Sequence, residues 1–410
     1  MAADRLDIGF VPLCDAAPLV IAKEEGLFEE YGLDVTLRRG RSWAHVRDQL
    51  AFGDLDAAHM LAPMVVASAL GLTPTRVSFA TALGLNLNGN GITVSNALYK
   101  EMQDVDPWAF DARPVTAASL KEIAKRRQDR GQTPVTFAMV YPFSTHNYLL
   151  RYWLAASGLH PDKDVRLIVV PPPDMVQLCE SESIDGYCVG EPWNTLAVHR
   201  GIGHQIVGGS EIWPAAPEKV MGVRRNWLDD HEEVYLRLIR SLMKAAQVLE
   251  SAEVQDRAAT YLAREDYIGI DVRHLQRALG SSAHKQLRAT FDASVAGFPW
   301  HSKAAWLASQ MVRWGQASWT TEFEQSLASS FRTDLFRAAA AEEGIRYPLV
   351  DRVVEGAHDE SWPLDEASAS VAMPGDRFMD RRSFDMTDRE AYVDGFDIAN
   401  QRAQNRPAGD

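Results

Sequence analysis

The side chains that could hold or transform a small molecule are few, and they lie where apolar runs end. In SIDGYCVGEPWN, residues 183–194, the run Ile184–Val189 stops at Gly190, whose missing Cβ lets backbone N–H groups come close to a ligand. Lys219, in APEKVMGV, adds a permanent positive charge. His146 follows Ser144 and Thr145 at the expected start of a helix, where unpaired N–H groups and partial positive charge favour an anion. Trp43 opens another expected helix and brings an indole N–H, and Asn90 stands in an Asn/Gly-rich break. Taken singly, each has a plainer explanation: capping for Ser144 and Thr145, core packing for Trp43, a solvated surface for a lone lysine. Together the five offer donors with hardly an acceptor among them. That is the inventory for a small oxyanion that is held and not transformed.

Signatures of chemistry are missing. No GxxxxGK[ST], GxSxG, HExxH or paired CxxC occurs, and the 11 histidines are scattered singly. NGNG at 88–91 lacks dinucleotide spacing and precedes a strand instead of a helix. We expect neither cofactor nor metal.

The elements that must position these donors alternate. Leu6–Leu13 has the pattern of a buried strand, and Asp15 should cap a helix over Ala16–Glu25, with Pro18 in its first turn. A strand over Asp34–Leu37, a helix from Trp43 to about Phe52 and a strand over Ala57–Met60 follow. Strand–helix–strand alternation at this pitch predicts a parallel sheet covered by helices. The break at LNLNGNGITV, residues 85–94, marks a first crossing between domains. A second α/β unit follows, with a Ser119/Glu122 capping box, a strand over Val135–Tyr141 and a strand over Leu167–Val170 stopped by three prolines. The chain crosses back near Val220–Arg224. Residues 1–90 and 220–410 therefore form lobe I with a helical C-terminal extension, and 91–219 form lobe II. Trp362, Phe378, Phe384 and Tyr392 in the last fifty residues predict a wrapping arm that seeks burial. In a two-lobed α/β protein with two crossings, ligands bind at strand carboxyl ends between the lobes.

Composition is that of an ordinary globular chain, with 46% hydrophobic and 24% charged residues. A net charge of −14 speaks against direct nucleic-acid binding, and the basic run Lys121–Arg130 has the look of a solvated helix face. Cys14, Cys179 and Cys188 have no metal-site spacing. The acids Asp4 and Asp7 stand where a secretory leader needs positive charge, so a cytoplasmic location is expected.

The strings DAAPLVIAKEEGLF, SWAHVRDQL, HMLAPM, THNYLLRYWLAASGLHPDKDVRLIVVPPPDMV, IDGYCVGEPWN and PEKVMGVRRNWL resemble the NrtA/CmpA family of nitrate- and bicarbonate-binding proteins over most of residues 5–400. The resemblance implies an α/β type II periplasmic-binding-protein fold. It also implies a nitrate or nitrite site made by Trp43, His146, Pro172, Gly190 and Lys219, with Asn90 where the family has a longer Gln. Bicarbonate binders of the family are expected to carry a metal-holding acid at the lysine position, and Glu218 is displaced from it by one residue. A chain starting directly at its first strand is most similar to NasS-type cytoplasmic sensors. Those hold an RNA-binding antiterminator until the anion releases it, so the expected partner is a protein, with neither nucleic acid nor membrane. The alternative is the substrate-binding component of a nitrate transporter whose leader has been removed. An enzyme on the same fold, such as the pyrimidine-precursor synthases, would need a reactive cluster in the cleft.

Overall fold

The computed structural model describes residues 3–280 and 285–400. The described residues build two large sheets flanked by helices and a two-stranded antiparallel ribbon of Trp362–Leu364 and Val371–Met373. Lobe I opens with β1 (Asp4–Phe10), β2 (Leu33–Arg39), β3 (Ala57–Leu61) and β4 (Phe79–Asn88). In lobe II lie β5 (Asn90–Ser95), β6 (Thr136–Met139), β7 (Arg166–Val169), β8 (Gly186–Gly190) and β9 (Gly203–Gly208). The chain then returns as β10 (Pro217–Arg224), and β11 (Ala289–Thr290) completes the edge. The lobe I sheet has the order β11-β4-β10-β3-β1-β2, and the lobe II sheet β7-β6-β8-β5-β9. β1 is parallel to β2 and β3, whereas β10 runs antiparallel to both β3 and β4. Lys219 thus lies inside the lobe I sheet, paired with Leu61 and Asn86, and the chain returns ahead of it.

The first crossing is as tight as its sequence requires. Asn88 and Gly89 both have positive φ, 59° and 88°, which Asn and Gly tolerate best, and the chain passes from β4 into β5 through that kink.

Two expected caps do not form. Asp15 sits inside a 3₁₀ turn, Cys14–Ala16, and caps no helix, because its carboxylate is drawn to side chains of the cleft. The helix Ala118–Asp129 starts after Ala117 with no side-chain cap, Ser119 Oγ has no partner, and Glu122 instead pairs along the helix with Arg126. Ser144 does cap its helix, Thr145–Ala156, accepting from Asn147 N–H at 3.0 Å.

The C-terminal arm packs as its aromatics require. Phe378 and Phe384 are fully buried, and Phe378 stacks with Trp306 at 5.4 Å and packs at a tilt on Trp213 at 4.9 Å. Tyr152 of lobe II donates to Asp380 at 2.8 Å. Residues 401–410 of the arm lie outside the described part. No helix among the described residues is long and apolar enough to cross a membrane.

Candidate functional site

Five of the six expected residues converge where the two sheets face each other. Trp43 is the first residue of the helix Trp43–Phe52, held there by Ser42, whose hydroxyl accepts from His45 N–H. Asn90 begins β5 and pairs with Gly190 at the end of β8. His146 stands in the first turn of the helix Thr145–Ala156, and Lys219 lies in β10. None of these side chains is more than 1% exposed. Pro172, itself buried, opens a 3₁₀ turn after β7, and it takes part in none of the cluster's described hydrogen bonds or ion pairs.

The structure adds three residues that the sequence reading did not place in the site. Asp15 Oδ2 lies 2.7 Å from Lys219 Nζ, and Asp15 Oδ1 lies 3.0 Å from His59 Nε2. Glu218 Oε2 accepts from the same ammonium and stands 3.4 Å from His146 Nε2. The ammonium also lies 5.4 Å from the centre of the Trp43 ring, which packs 5.3 Å from His59. The expectation of donors with hardly an acceptor is therefore overturned: two buried carboxylates answer the one lysine. A signal for Asp15 was present, since an acid between apolar stretches that needs no cap asks for a buried partner. His59 and Glu218 carry no comparable mark.

The cluster mixes paired and unpaired groups. Trp43 Nε1, both ring nitrogens of His146, both side-chain atoms of Asn90 and Glu218 Oε1 are buried without a hydrogen-bond partner. The Asn90 amide lies near enough to Glu218 to favour its carboxylate, though without hydrogen-bond geometry. His59 Nε2 and Asp15 Oδ1 are close but equally misaligned. Buried polar groups are ordinarily satisfied, so this many orphans in one place single out the cluster as the candidate site for a polar ligand.

Burial and charge act in opposite directions on the acids. Burial penalises ionised Asp15, but Lys219 and His59 more than offset that and hold its carboxyl well below the usual range. For Glu218 burial prevails over Lys219, with Asp15 adding repulsion, and the carboxyl is pushed up to about 7. Burial and the Lys219 charge push His146 well below its ordinary value, so it stays neutral. Burial alone would lower Lys219, yet Asp15 and Glu218 keep its pKa above normal. Among the described residues, no group of three or more His, Cys, Asp or Glu side chains is arranged to hold a metal ion.

Lobe contacts frame the site. Trp193 Nε1 donates to Pro12 O at 3.2 Å, Cys14 N–H to Glu191 O at 2.8 Å, and Thr145 Oγ1 to Pro217 O at 2.6 Å. A Cβ on Gly190 would lie 3.3 Å from Leu13 Cδ2 and 3.6 Å from Asp15 Oδ2, so the absence of a side chain there lets the lobes meet.

Residues 2–263 match the model of the NMT1-like family. The chain belongs to that family. Among its relatives is the nitrate/nitrite binding protein NrtA of Synechococcus elongatus, 30% identical over 406 residues that cover 95% of this chain and 85% of that one. The nitrate import ATP-binding protein NrtC of Synechocystis sp. is 32% identical over 97% of this chain, and the bicarbonate transport ATP-binding protein CmpC of Synechococcus elongatus 36% over 83%. The chain spans only 58% and 50% of those two proteins' lengths. The crystal structure of the periplasmic nitrate-binding protein NrtA from Synechocystis PCC 6803 superposes with a TM-score of 0.81 at 28% identity, covering 97% of this chain and 99% of that one. The fold is thus the two-lobed periplasmic-binding-protein fold. An alkanesulfonate-binding protein from Xanthomonas axonopodis shares that fold at a TM-score of 0.55 and 15% identity.

Proposed function

We propose that this protein binds nitrate or nitrite between its lobes and that closure around the anion is its output. One observation carries the reading: unpartnered buried polar groups on Trp43, His146 and Asn90 gather around the Lys219–Glu218 pair from both lobes. Donors fixed on two sides suit a small planar oxyanion. They also make the anion favour the closed state through its higher affinity for it. The NrtA relatives, whose names state nitrate and nitrite binding, support the choice of ligand. Holding without transformation fits the side chains present, since burial keeps Cys188, beside Glu218, a protonated thiol.

Calorimetry against nitrate, nitrite, bicarbonate and sulfate tests the proposal. We expect saturable binding of nitrate or nitrite and far weaker binding of sulfate, whose second charge meets a lysine already shared by two carboxylates. Bicarbonate is the competing ligand, and Glu218 Oε1 favours it as an unpartnered acceptor for the bicarbonate O–H. Binding of bicarbonate without nitrate would make it the ligand.

For the read-out we propose a cytoplasmic sensor that holds an antiterminator-type protein in its open form and releases it on closure. The support is a charge of −14 that suits a basic RNA-binding partner. The transport reading draws on relatives named as a nitrate import and a bicarbonate transport ATP-binding protein. A complex with the antiterminator that forms without nitrate and dissociates with it supports the sensor. Anion-independent co-purification, or recovery of the protein from a periplasmic extract, supports transport.

A further inference from the structure

The two buried carboxylates raise a question of charge. Lys219 already has Asp15 at 2.7 Å and Glu218 in contact, so an entering anion would place three negative groups around one ammonium. At a site no more than 3% exposed, little solvent screens their repulsion. Resting on the anion-binding reading above, we propose that Glu218 takes up a proton as the anion binds, so that the site captures the anion and one proton together.

The geometry assigns the proton to Glu218. Asp15 has both oxygens beside nitrogen, one at Lys219 and one at His59, and gains from staying ionised. Glu218 uses only Oε2 on Lys219. Its Oε1 is buried and unpartnered, which is the arrangement of a neutral carboxyl that accepts through one oxygen and carries its proton on the other. Once protonated, Oε1–H becomes a donor where an ionised oxygen would repel the anion.

The other groups facing Glu218 do not compete for the proton. Lys219 on its own strand keeps its charge, and Asp15, from the turn after β1, stays ionised. His146, from the helix Thr145–Ala156, is held neutral, as burial also favours for His59 on β3, which lies against Asp15 and the Trp43 ring. Cys188 on β8 remains a thiol, and Asn90 on β5 does not titrate. Burial brings the free Glu218 carboxyl up to about 7, so below that pH the proton is already present and above it binding must recruit one.

The test is the nitrate Kd between pH 6 and pH 9 at constant ionic strength, with binding heats taken in two buffers of different ionisation enthalpy. We expect affinity to be level below pH about 7 and to fall by up to about tenfold per pH unit above it, with close to one proton taken up per nitrate. Glu218→Gln, which keeps the size and a neutral donor, should abolish both the slope and the buffer dependence. An unchanged slope in Glu218→Gln, or a wild-type Kd that is flat with no buffer dependence, overturns the inference while leaving nitrate binding intact. The proton count in the wild type decides the matter even if the variant fails to fold. Absence of both nitrate and nitrite binding at every pH removes the reading on which this inference rests, and the inference with it.

Discussion

At the scale of single residues, Lys219 does two jobs at once. It offers charge to a ligand and it neutralises Asp15, both inside a site without solvent. Lys219→Met should therefore cost about 3–5 kcal/mol of unfolding free energy in urea, because it strands a buried carboxylate. Adding Asp15→Asn should recover much of that loss, and a double variant no more stable than the single one would refute the pairing. Trp43→Phe probes binding without stranding a charge: it removes the unpartnered indole N–H together with part of the ring that packs on His59 and Lys219. We expect nitrate affinity to fall by about 2- to 10-fold, with a moderate drop in melting temperature from the smaller buried ring. Glu218 also has a stability signature. The folded carboxyl keeps its proton to about pH 7, whereas an unfolded Glu loses it near its ordinary 4.5, so the folded state binds more protons between those values. Stability accordingly falls as pH rises through that window. Glu218→Gln should raise the melting temperature at pH 8 and leave it nearly unchanged at pH 4. Equal shifts at both pH values would contradict the elevated carboxyl.

At the scale of elements, the site depends on how closely backbones approach. β5 delivers Asn90 from the kink at Asn88–Gly89, and its side-chain oxygen packs against Gly209 so closely that a methyl on that glycine would collide with it. Gly209→Ala should therefore displace Asn90 and weaken nitrate binding about as much as Asn90→Ala does. The two changes together should cost little more than either alone, because both act through one amide. Full additivity in a double-mutant cycle of nitrate affinities would show that Asn90 does not depend on Gly209. The helix Thr145–Ala156 shows the same economy. Ser144 caps it, which leaves Thr145 to reach Pro217 across the cleft and His146 to face Glu218.

At the scale of the whole molecule, the C-terminal extension ties to the second lobe as well as the first. Tyr148 donates to Gln316, Met379 N–H donates to Ile212 O, and Phe378 fills the space among Tyr152, Trp213 and Trp306. Phe378→Ala should cost about 3–5 kcal/mol of stability through the cavity it leaves, with nitrate affinity unchanged once the protein is folded. Chemical denaturation with parallel calorimetry checks both. A loss of affinity larger than the loss of folded protein would instead tie the arm to lobe closure.

What the sequence by itself determined was the alternation of strands and helices, the break at residues 85–94 and the placement of Trp43, Asn90, His146 and Gly190 at element ends. Each of these is local. Periodicity, turn residues and helix starts leave their mark within a few positions of the residue concerned. Tertiary structure alone decided that Asp15 and His59 join Lys219, because the order β10-β3-β1 brings residues distant in sequence to one end of one sheet, and that the neighbouring Glu218 is buried beside it. It decided the charge state as well. Glu218 looks like any other acid in PEKVMGV, and what sets it apart is full burial beside an ammonium that Asp15 already answers. Electrostatic character of that kind depends on distances across the fold and on the exclusion of water, neither of which a local pattern records.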